Sequence, residues 1–97
     1  MKVVEMITRL KVSEATRWTE SCGGYIVLNH STGRYFRLNR TGSYVWQSIL
    51  SEHTKDSIES SYSVAFNRPI DIACRDVGQL LGQLIQFGII KSYAIEQ

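Results

Sequence analysis

The clearest pattern of hydrophobic and polar residues lies in the first half of the chain, where it predicts a strand, a turn and a second strand. Tyr25–Leu28 is a run of aromatic and aliphatic residues with high strand propensity. Asn29–Gly33 has the composition of a turn, and Arg34–Leu38 follows as the second strand. Because alternate side chains of a strand point to opposite faces, Phe36 and Leu38 form the natural core-facing pair. The pattern predicts a β-hairpin.

Two helices are predicted to follow the hairpin. Asn39 or Thr41 can cap the first, since a side-chain oxygen at this position accepts from an amide of the first turn. The apolar face of this helix consists of Val45, Trp46, Ile49 and Leu50. Thr54 can cap a second helix, in which an aliphatic or aromatic residue recurs every fourth position at Ile58, Tyr62 and Phe66. Both segments have the spacing of amphipathic helices.

A third and longest helix is predicted from Asp71, as its cap, to about Phe87, with Gly88 ending it. Its apolar positions are Ala73, Cys74, Val77, Leu80, Leu81, Leu84 and Ile85. Ile89 and Ile90 are expected to fold back as a short apolar tail. Strands followed by three helices indicate an α+β domain of winged-helix size.

The amino-terminal region has weaker patterns. Ile7–Val12 alternates loosely and is a candidate for one more strand beside the hairpin. Ser13–Gly23 is polar, with Gly23 and Gly24 at its end, which predicts a connecting loop. Trp18 is the exception in this segment. We expect its ring to cover the edge of the core, with a partner-binding role as the alternative.

Length and charge narrow the class of protein. A chain of 97 residues with 43% hydrophobic content can bury one modest core, so residues 1–97 are expected to form a single domain. The 11 basic and 9 acidic residues are scattered, without a basic run that would follow a phosphate backbone. Nucleic acid is therefore not an expected partner. The first twelve residues are interrupted by charges and lack the apolar segment of a signal peptide or membrane span, which favours a cytoplasmic protein without membrane contact.

Motifs for catalysis or for metal and cofactor binding are not found. Cys22 and Cys74 lie far apart, as expected for reduced thiols. His30 and His53 fall in a turn and a loop, where solvated side chains are expected, and neither has a partner at metal-ligand spacing. No glycine-rich phosphate loop or glycine-flanked nucleophile is present. We expect neither an enzyme nor a resident cofactor or metal.

Short motifs follow one another in order over about residues 24–91. They are Leu28-Asn29, Thr32 to Asn39, Thr41-Gly42, Val45-Trp46, Asp76-Val77, Leu80-Leu81, Leu84 and Gly88-Ile89-Ile90. In the order and spacing of these motifs, the chain resembles the PqqD family, the recognition elements of ribosomally made peptide natural products.

The resemblance implies a winged helix-turn-helix domain, with a three-stranded antiparallel sheet followed by three helices. It implies a protein that holds the leader segment of a precursor peptide. A free-standing chain of this length looks most like the separate leader-binding proteins of lasso-peptide biosynthesis, which implies a cysteine-protease-type leader peptidase as a second partner. A radical enzyme or a cyclodehydratase as the partner remains open.

A leader could bind such a domain by strand addition, because an edge strand offers unpaired amides and carbonyls. The predicted edge consists of Arg34, Tyr35, Phe36, Arg37 and Leu38. Tyr35 is expected to contact the peptide, and Phe36 to lie mainly in the core at the floor of the cleft. The third helix is expected to wall the cleft with Cys74, Val77, Gly78, Leu81, Gly82 and Ile85. For Gly78 and Gly82, close packing on another helix is the alternative explanation.

A winged-helix DNA-binding regulator is the chief alternative function, because the same elements can place a helix in a groove of DNA. The third helix argues against it, since Arg75 is its only clearly basic residue.

Overall fold

The computed structural model describes residues 6–96, and for Met6, Ile95 and Glu96 it describes the backbone alone. Five strands and three helices follow one another in these residues. Their bounds are β1 Met6–Val12, β2 Thr16–Ser21, β3 Gly24–Asn29, β4 Tyr35–Leu38, α1 Arg40–Leu50, α2 Lys55–Ala65, α3 Ile70–Gln86 and β5 Ile90–Glu96.

The predicted hairpin is the centre of a three-stranded antiparallel sheet. Its strands lie in the order β2-β3-β4, and Val27 of β3 pairs with Phe36 of β4. Val27 and Leu38 are buried on the face that packs against the helices, whereas Tyr35 projects into solvent. Three helices follow this sheet, and the predicted α+β winged helix-turn-helix class is confirmed.

The predicted caps of the first two helices are confirmed, whereas the cap of the third was wrong. The side chain of Asn39 accepts from the amide of Gly42 at the start of α1, and Thr54 accepts from the amide of Ser57 at the start of α2. α3 begins one residue before the predicted cap, because Pro69 occupies the cap position and Asp71 lies inside the first turn. A proline has the backbone angle that a helix entrance needs, and a carboxylate in the first turn is favoured by the helix dipole.

The amino-terminal predictions need two corrections. Ile7–Val12 does form a strand, but β1 pairs with β5 in a separate two-stranded sheet and not with the hairpin. Ser13–Gly23 is not a connecting loop, because it contains β2. Of the six residues of β2, four are exposed, so this strand lacks the alternation of a half-buried strand and its sequence looks like a loop.

The core lies where the helices meet both sheets. Its largest fully buried side chain is Trp46 of α1, and Trp18 of β2 packs edge-to-face on it with ring centroids 5.6 Å apart. The expectation that Trp18 covers the edge of the core is confirmed, although 44% of this residue stays exposed. Ile89 and Ile90 are also buried, directly after Gly88 ends α3 with a φ of 70°. Among residues 6–96, no helix is long and apolar enough to cross a membrane.

Candidate functional site

An open groove of about 380 Å³ runs between β4, the start of α1 and α3. The strand side of the groove is formed by Phe36, Arg37 and Leu38. The helix side is formed by residues of α3 that lie one turn apart. These are Asp76, Gln79, Leu80 and Gln83, and Asn39, Thr41, Gly42, Val45, Tyr62 and Arg68 complete the lining.

The strand wall of the groove is an open sheet edge, because β4 is the last strand of its sheet among the described residues. The amide of Asn29 donates to the carbonyl of Arg34 at 2.9 Å, and these two residues are register partners. In an antiparallel ladder, hydrogen-bonded and non-bonded pairs alternate. Phe36 and Leu38 therefore bond to β3, and the amides and carbonyls of Tyr35 and Arg37 point outward. Four backbone groups are thus offered to a guest strand.

The floor at one end of the groove is aromatic. Phe36 packs on Phe87 with ring centroids 4.5 Å apart. The guanidinium carbon of Arg34 lies 4.9 Å from the centroid of the same Phe87 ring, a cation–π contact that places a positive charge at this end. Leu38 is buried beneath the strand, and Leu80 of α3 packs against the core from the opposite wall. A guest side chain entering here would meet apolar surface.

The other end of the groove carries charge. The Asp76 carboxylate lies 3.3 Å from the Arg68 guanidinium, and it accepts from the Tyr62 hydroxyl at 3.5 Å. Arg75 lies 3.7 Å from the other carboxylate oxygen. Arg68 and Arg75 remain largely exposed, so these ion pairs contribute little stability. They do hold the Asp76 side chain at the rim of the groove.

The predicted residues on the strand lie where they were expected. Phe36, Arg37 and Leu38 line the groove, and Arg34 lies against Phe87, the ring on which Phe36 packs. Tyr35 is 66% exposed, and its side chain points away from the core. Their role in binding a peptide stays a prediction.

The predicted helix wall does not coincide with this groove, because Cys74, Gly78, Gly82 and Ile85 are not among the residues that line it. An α-helix turns once in about 3.6 residues, so this ridge projects on the side of α3 away from Asp76 and Gln83. Val77 and Leu81 are buried in the core between the two sides. An added Cβ at Gly78 or Gly82 would meet nothing within 4 Å, so these glycines do not serve close helix packing either.

Cys74 belongs to a polar cluster on that other side of α3. Desolvation and the neighbouring Glu59 carboxylate raise the pKa of its thiol. Glu59 is itself buried and pairs with Lys55 at 3.0 Å. A thiol with a raised pKa is a poor nucleophile at neutral pH.

The residues missed by the sequence analysis are Asp76, Gln79, Leu80 and Gln83 as the helix wall, and Phe87 beneath the strand. The spacing of the core-facing residues of α3 could have predicted this wall. Ala73, Val77, Leu81 and Leu84 are spaced as one helical face, and the wall residues lie along one flank of that face.

Residues 6–96 offer few other candidate binding sites. No group of three His, Cys, Asp or Glu side chains there could hold a metal ion. A larger cavity of about 680 Å³ lies between the β2–β3 turn, α1 and the end of α2, and it is open and partly polar.

Comparison with known proteins gives one family and two solved structures. The family model described as coenzyme PQQ synthesis protein D (PqqD) matches residues 24–90. This is well over half of the chain, and the resemblance predicted from the same stretch is confirmed. The comparison with curated proteins gives no match.

The two solved structures resemble the chain over most of its length. The first is TbiB1 in complex with the TbiA(beta) leader peptide, with a TM-score of 0.80 and 22% identity, covering 88% of this chain and 99% of that one. The second is lasso peptide synthetase B1 complexed with its leader peptide, with a TM-score of 0.77 and 20% identity, covering 84% of this chain and 96% of that one. At these identities the likeness establishes a shared fold.

Proposed function

This chain belongs to the PqqD family, and we propose that it is a non-catalytic protein that binds the leader segment of a ribosomally made precursor peptide in lasso-peptide biosynthesis. The observation that carries the proposal is the open edge of β4 facing α3 across a groove that is apolar around Phe36 and Leu80 and polar elsewhere. The two B1-type structures with the same fold were solved with leader peptides, which supports the same class of ligand here.

The leader would add to the sheet as a further strand beside β4. Its backbone would pair with the outward groups of Tyr35 and Arg37, and alternate side chains would enter the groove toward Phe36 and Leu80. Gln79 and Gln83 on the facing helix offer amide groups to polar atoms of the guest. Arg34 and Arg37 would favour acidic leader residues, although exposed ion pairs contribute little.

An estimate of the energies indicates where the affinity comes from. Four backbone hydrogen bonds at about 1 kcal/mol each give about 4 kcal/mol, whereas micromolar binding needs about 8 kcal/mol before association costs. At about 25 cal/mol per Å² of apolar area, the missing ~4 kcal/mol requires at least about 160 Å² to be buried. This is the area of one large side chain, and association costs raise the requirement to two or more. The groove must therefore seat leader side chains as well as pair with the backbone.

The bound leader would then be presented to an enzyme, which we propose is a cysteine-protease-type leader peptidase. The chain itself would supply no catalytic group. The groove contains neither a cysteine nor a histidine among its lining residues. Such a protein would assist the peptidase by holding the leader extended while the rest of the precursor stays free.

DNA binding is less well supported. α3 would be the recognition helix of a winged helix-turn-helix protein, yet it carries Asp71 and Asp76 beside the single basic residue Arg75. Arg75 also lies 3.7 Å from Asp76, which offsets its charge. Such a helix would repel phosphates more than it attracts them.

The proposal is tested by calorimetric titration with synthetic leader segments of lasso-peptide precursors encoded in the same genome. We expect saturable binding at one site. Tyr35→Pro removes an outward amide without touching the β3 ladder, so we expect at least ~10-fold weaker binding with the fold retained. Tyr35→Ala is the matched control, because it removes the side chain and keeps the amide. Normal leader binding by a folded Tyr35→Pro variant would refute strand addition at β4.

A further inference from the structure

A second groove, of about 640 Å³, lies at the opposite end of α1 from the first. Four consecutive residues of β1, Arg9–Val12, form one wall. Trp18 of β2 together with Ile49 and Leu50 at the end of α1 forms the other, and Glu52 and Tyr93 complete the lining. The first groove meets α1 near its start, at Thr41, Gly42 and Val45. Both grooves can therefore be occupied at once.

The β1 wall is also an open strand edge. The amide of Ser13 donates to the carbonyl of Ile89 at 2.9 Å, and this bond continues the β1–β5 register. By the alternation of an antiparallel ladder, the backbone groups of Leu10 and Val12 point away from β5. Within residues 6–96, no hydrogen bond joins either of these two amides to another element. Like β4, β1 therefore presents unpaired backbone groups, here from two residues whose side chains pack in or against the core.

The facing wall is apolar and rigidly supported. Trp18 is exposed on its outer side, but its ring is held edge-to-face on Trp46, which is fully buried. Leu50 and Tyr93 are also exposed, so three of the seven large exposed hydrophobic residues described lie around this one groove. Clustered exposed apolar side chains, with tryptophan and tyrosine among them, are typical of binding surfaces.

The charge beside this edge is positive. Lys11 lies directly opposite Lys91 in the β1–β5 ladder, and Arg9 lies opposite Tyr93, so these side chains share one face of the ribbon. Like charges directly opposite each other destabilise a strand pair, and an anionic guest would relieve this repulsion. Glu52 is the one acidic residue in the lining.

We propose that the β1 edge accepts an extended segment of a partner protein, in which acidic and aliphatic residues alternate, as an added strand. Its aliphatic side chains would pack on Trp18 and Leu50, and its carboxylates would face Arg9 and Lys11. A second copy of this chain fits poorly, because pairing two β1 strands would bring Arg9 and Lys11 together with their own copies. A nucleic acid would leave the apolar wall and the open amides without partners.

The test uses a synthetic eight-residue peptide in which glutamate and valine alternate, with a lysine–valine peptide as its control. Trp18 lines this groove and packs on the buried Trp46, whereas neither tryptophan lines the β4 groove, so intrinsic fluorescence reports on the β1 groove. We expect the glutamate peptide to change the tryptophan emission saturably and to bind at least ~10-fold more tightly than the lysine peptide. By calorimetry, Trp18→Ala should weaken binding ~10-fold or more, Glu52→Gln should tighten it, and Tyr35→Pro should leave it unchanged.

Two further arms separate strand addition from general attraction. Arg9→Glu with Lys11→Glu should reverse the preference toward the lysine peptide. N-methylation of one set of alternate amides of the glutamate peptide should abolish binding, whereas methylation of the other set should not, because alternate amides of an added strand face opposite sides. Each of four results would overturn the proposal: no binding of the glutamate peptide, equal binding of both peptides, binding of a single-stranded oligonucleotide in its place, or self-association that Trp18→Ala abolishes.

Discussion

The side-chain amide of Asn29 donates to the carbonyl oxygen of Phe87 at 3.0 Å and so ties the end of β3 to the end of α3. Asn29 is buried, and its side-chain oxygen accepts from the amide of Ser31 at 2.9 Å. One side chain thus shapes the hairpin turn and holds the carboxyl end of α3 beside the sheet.

The link between Asn29 and Phe87 predicts a large effect of a small substitution. Asn29→Ala should lower the free energy of unfolding by about 2 kcal/mol, because buried backbone groups lose their partners. Asn29→Asp should lower it further, since a carboxylate would face the carbonyls of Phe87 and Gly88. Denaturant unfolding measures both, with the exposed neighbour variant His30→Ala as the control. Wild-type stability of Asn29→Asp would show that the link contributes nothing.

The two flanks of α3 predict opposite outcomes for similar changes. Leu80→Ala removes an apolar side chain from the wall of the β4 groove and should weaken leader binding about 10-fold. Ile85→Ala makes the matched change on the far side of the helix and should leave the affinity within about twofold. Calorimetric titration of the leader compares them. A stronger effect at Ile85 would place the peptide on the wrong side of the helix for this groove.

The glycines of α3 are predicted to be stabilising positions for alanine. Gly78 and Gly82 lie within the helix with open space around an added Cβ. Each alanine should raise the free energy of unfolding by about 0.5–1 kcal/mol, since glycine costs that much in a helix interior. Thermal or urea unfolding of the double variant measures the combined change in the free energy of unfolding. Leader affinity should not change. Weaker leader binding by the double variant would restore these glycines to the binding site.

The raised pKa of the Cys74 thiol predicts a pH dependence of stability. The folded chain holds this proton more tightly than the unfolded chain, so the contribution to stability is present below the ordinary thiol pKa of 9.0 and is lost as pH rises through the folded value. The stability difference between the wild type and Cys74→Ala should therefore shrink above pH 9. Iodoacetamide should also label the exposed Cys22 before Cys74 at neutral pH. Two results together would contradict this prediction: equal labelling of Cys22 and Cys74, and a stability difference between the wild type and Cys74→Ala that does not vary with pH.

The parts of the fold that local chemistry determines could be predicted from the sequence. The hairpin and its turn lie within a few residues of each other, and the Asn39 cap depends on one side chain and one amide of the next turn. In contrast, the pairing of β1 with β5 joins Val12 to Ile90, which lie far apart in the sequence. No local sequence pattern specifies this pairing. β2 was missed because the exposure of both its faces leaves no period of two.

Alternation along β4 predicted strand residues that do line the groove, whereas most of the residues predicted on α3 lie on the other flank of that helix. The role of either set in peptide binding stays a prediction. The predicted wall of α3 included Gly78 and Gly82, which lie on the flank away from the groove. The orientation of a helix is set by its buried stripe, here Val77, Leu81 and their neighbours, and the groove lies beside that stripe. Leu80, the apolar residue on the groove flank, was assigned to the core stripe alone.

The most direct test of leader binding at the β4 edge is hydrogen–deuterium exchange of individual amides by NMR, with and without the leader. The amides of Tyr35 and Arg37 point away from β3, and that of Phe36 bonds to it. We predict that saturating leader slows exchange at Tyr35 and Arg37 by at least ~10-fold and leaves the already protected Phe36 nearly unchanged. Unchanged exchange at Tyr35 and Arg37 while the leader is bound would contradict strand addition at this edge.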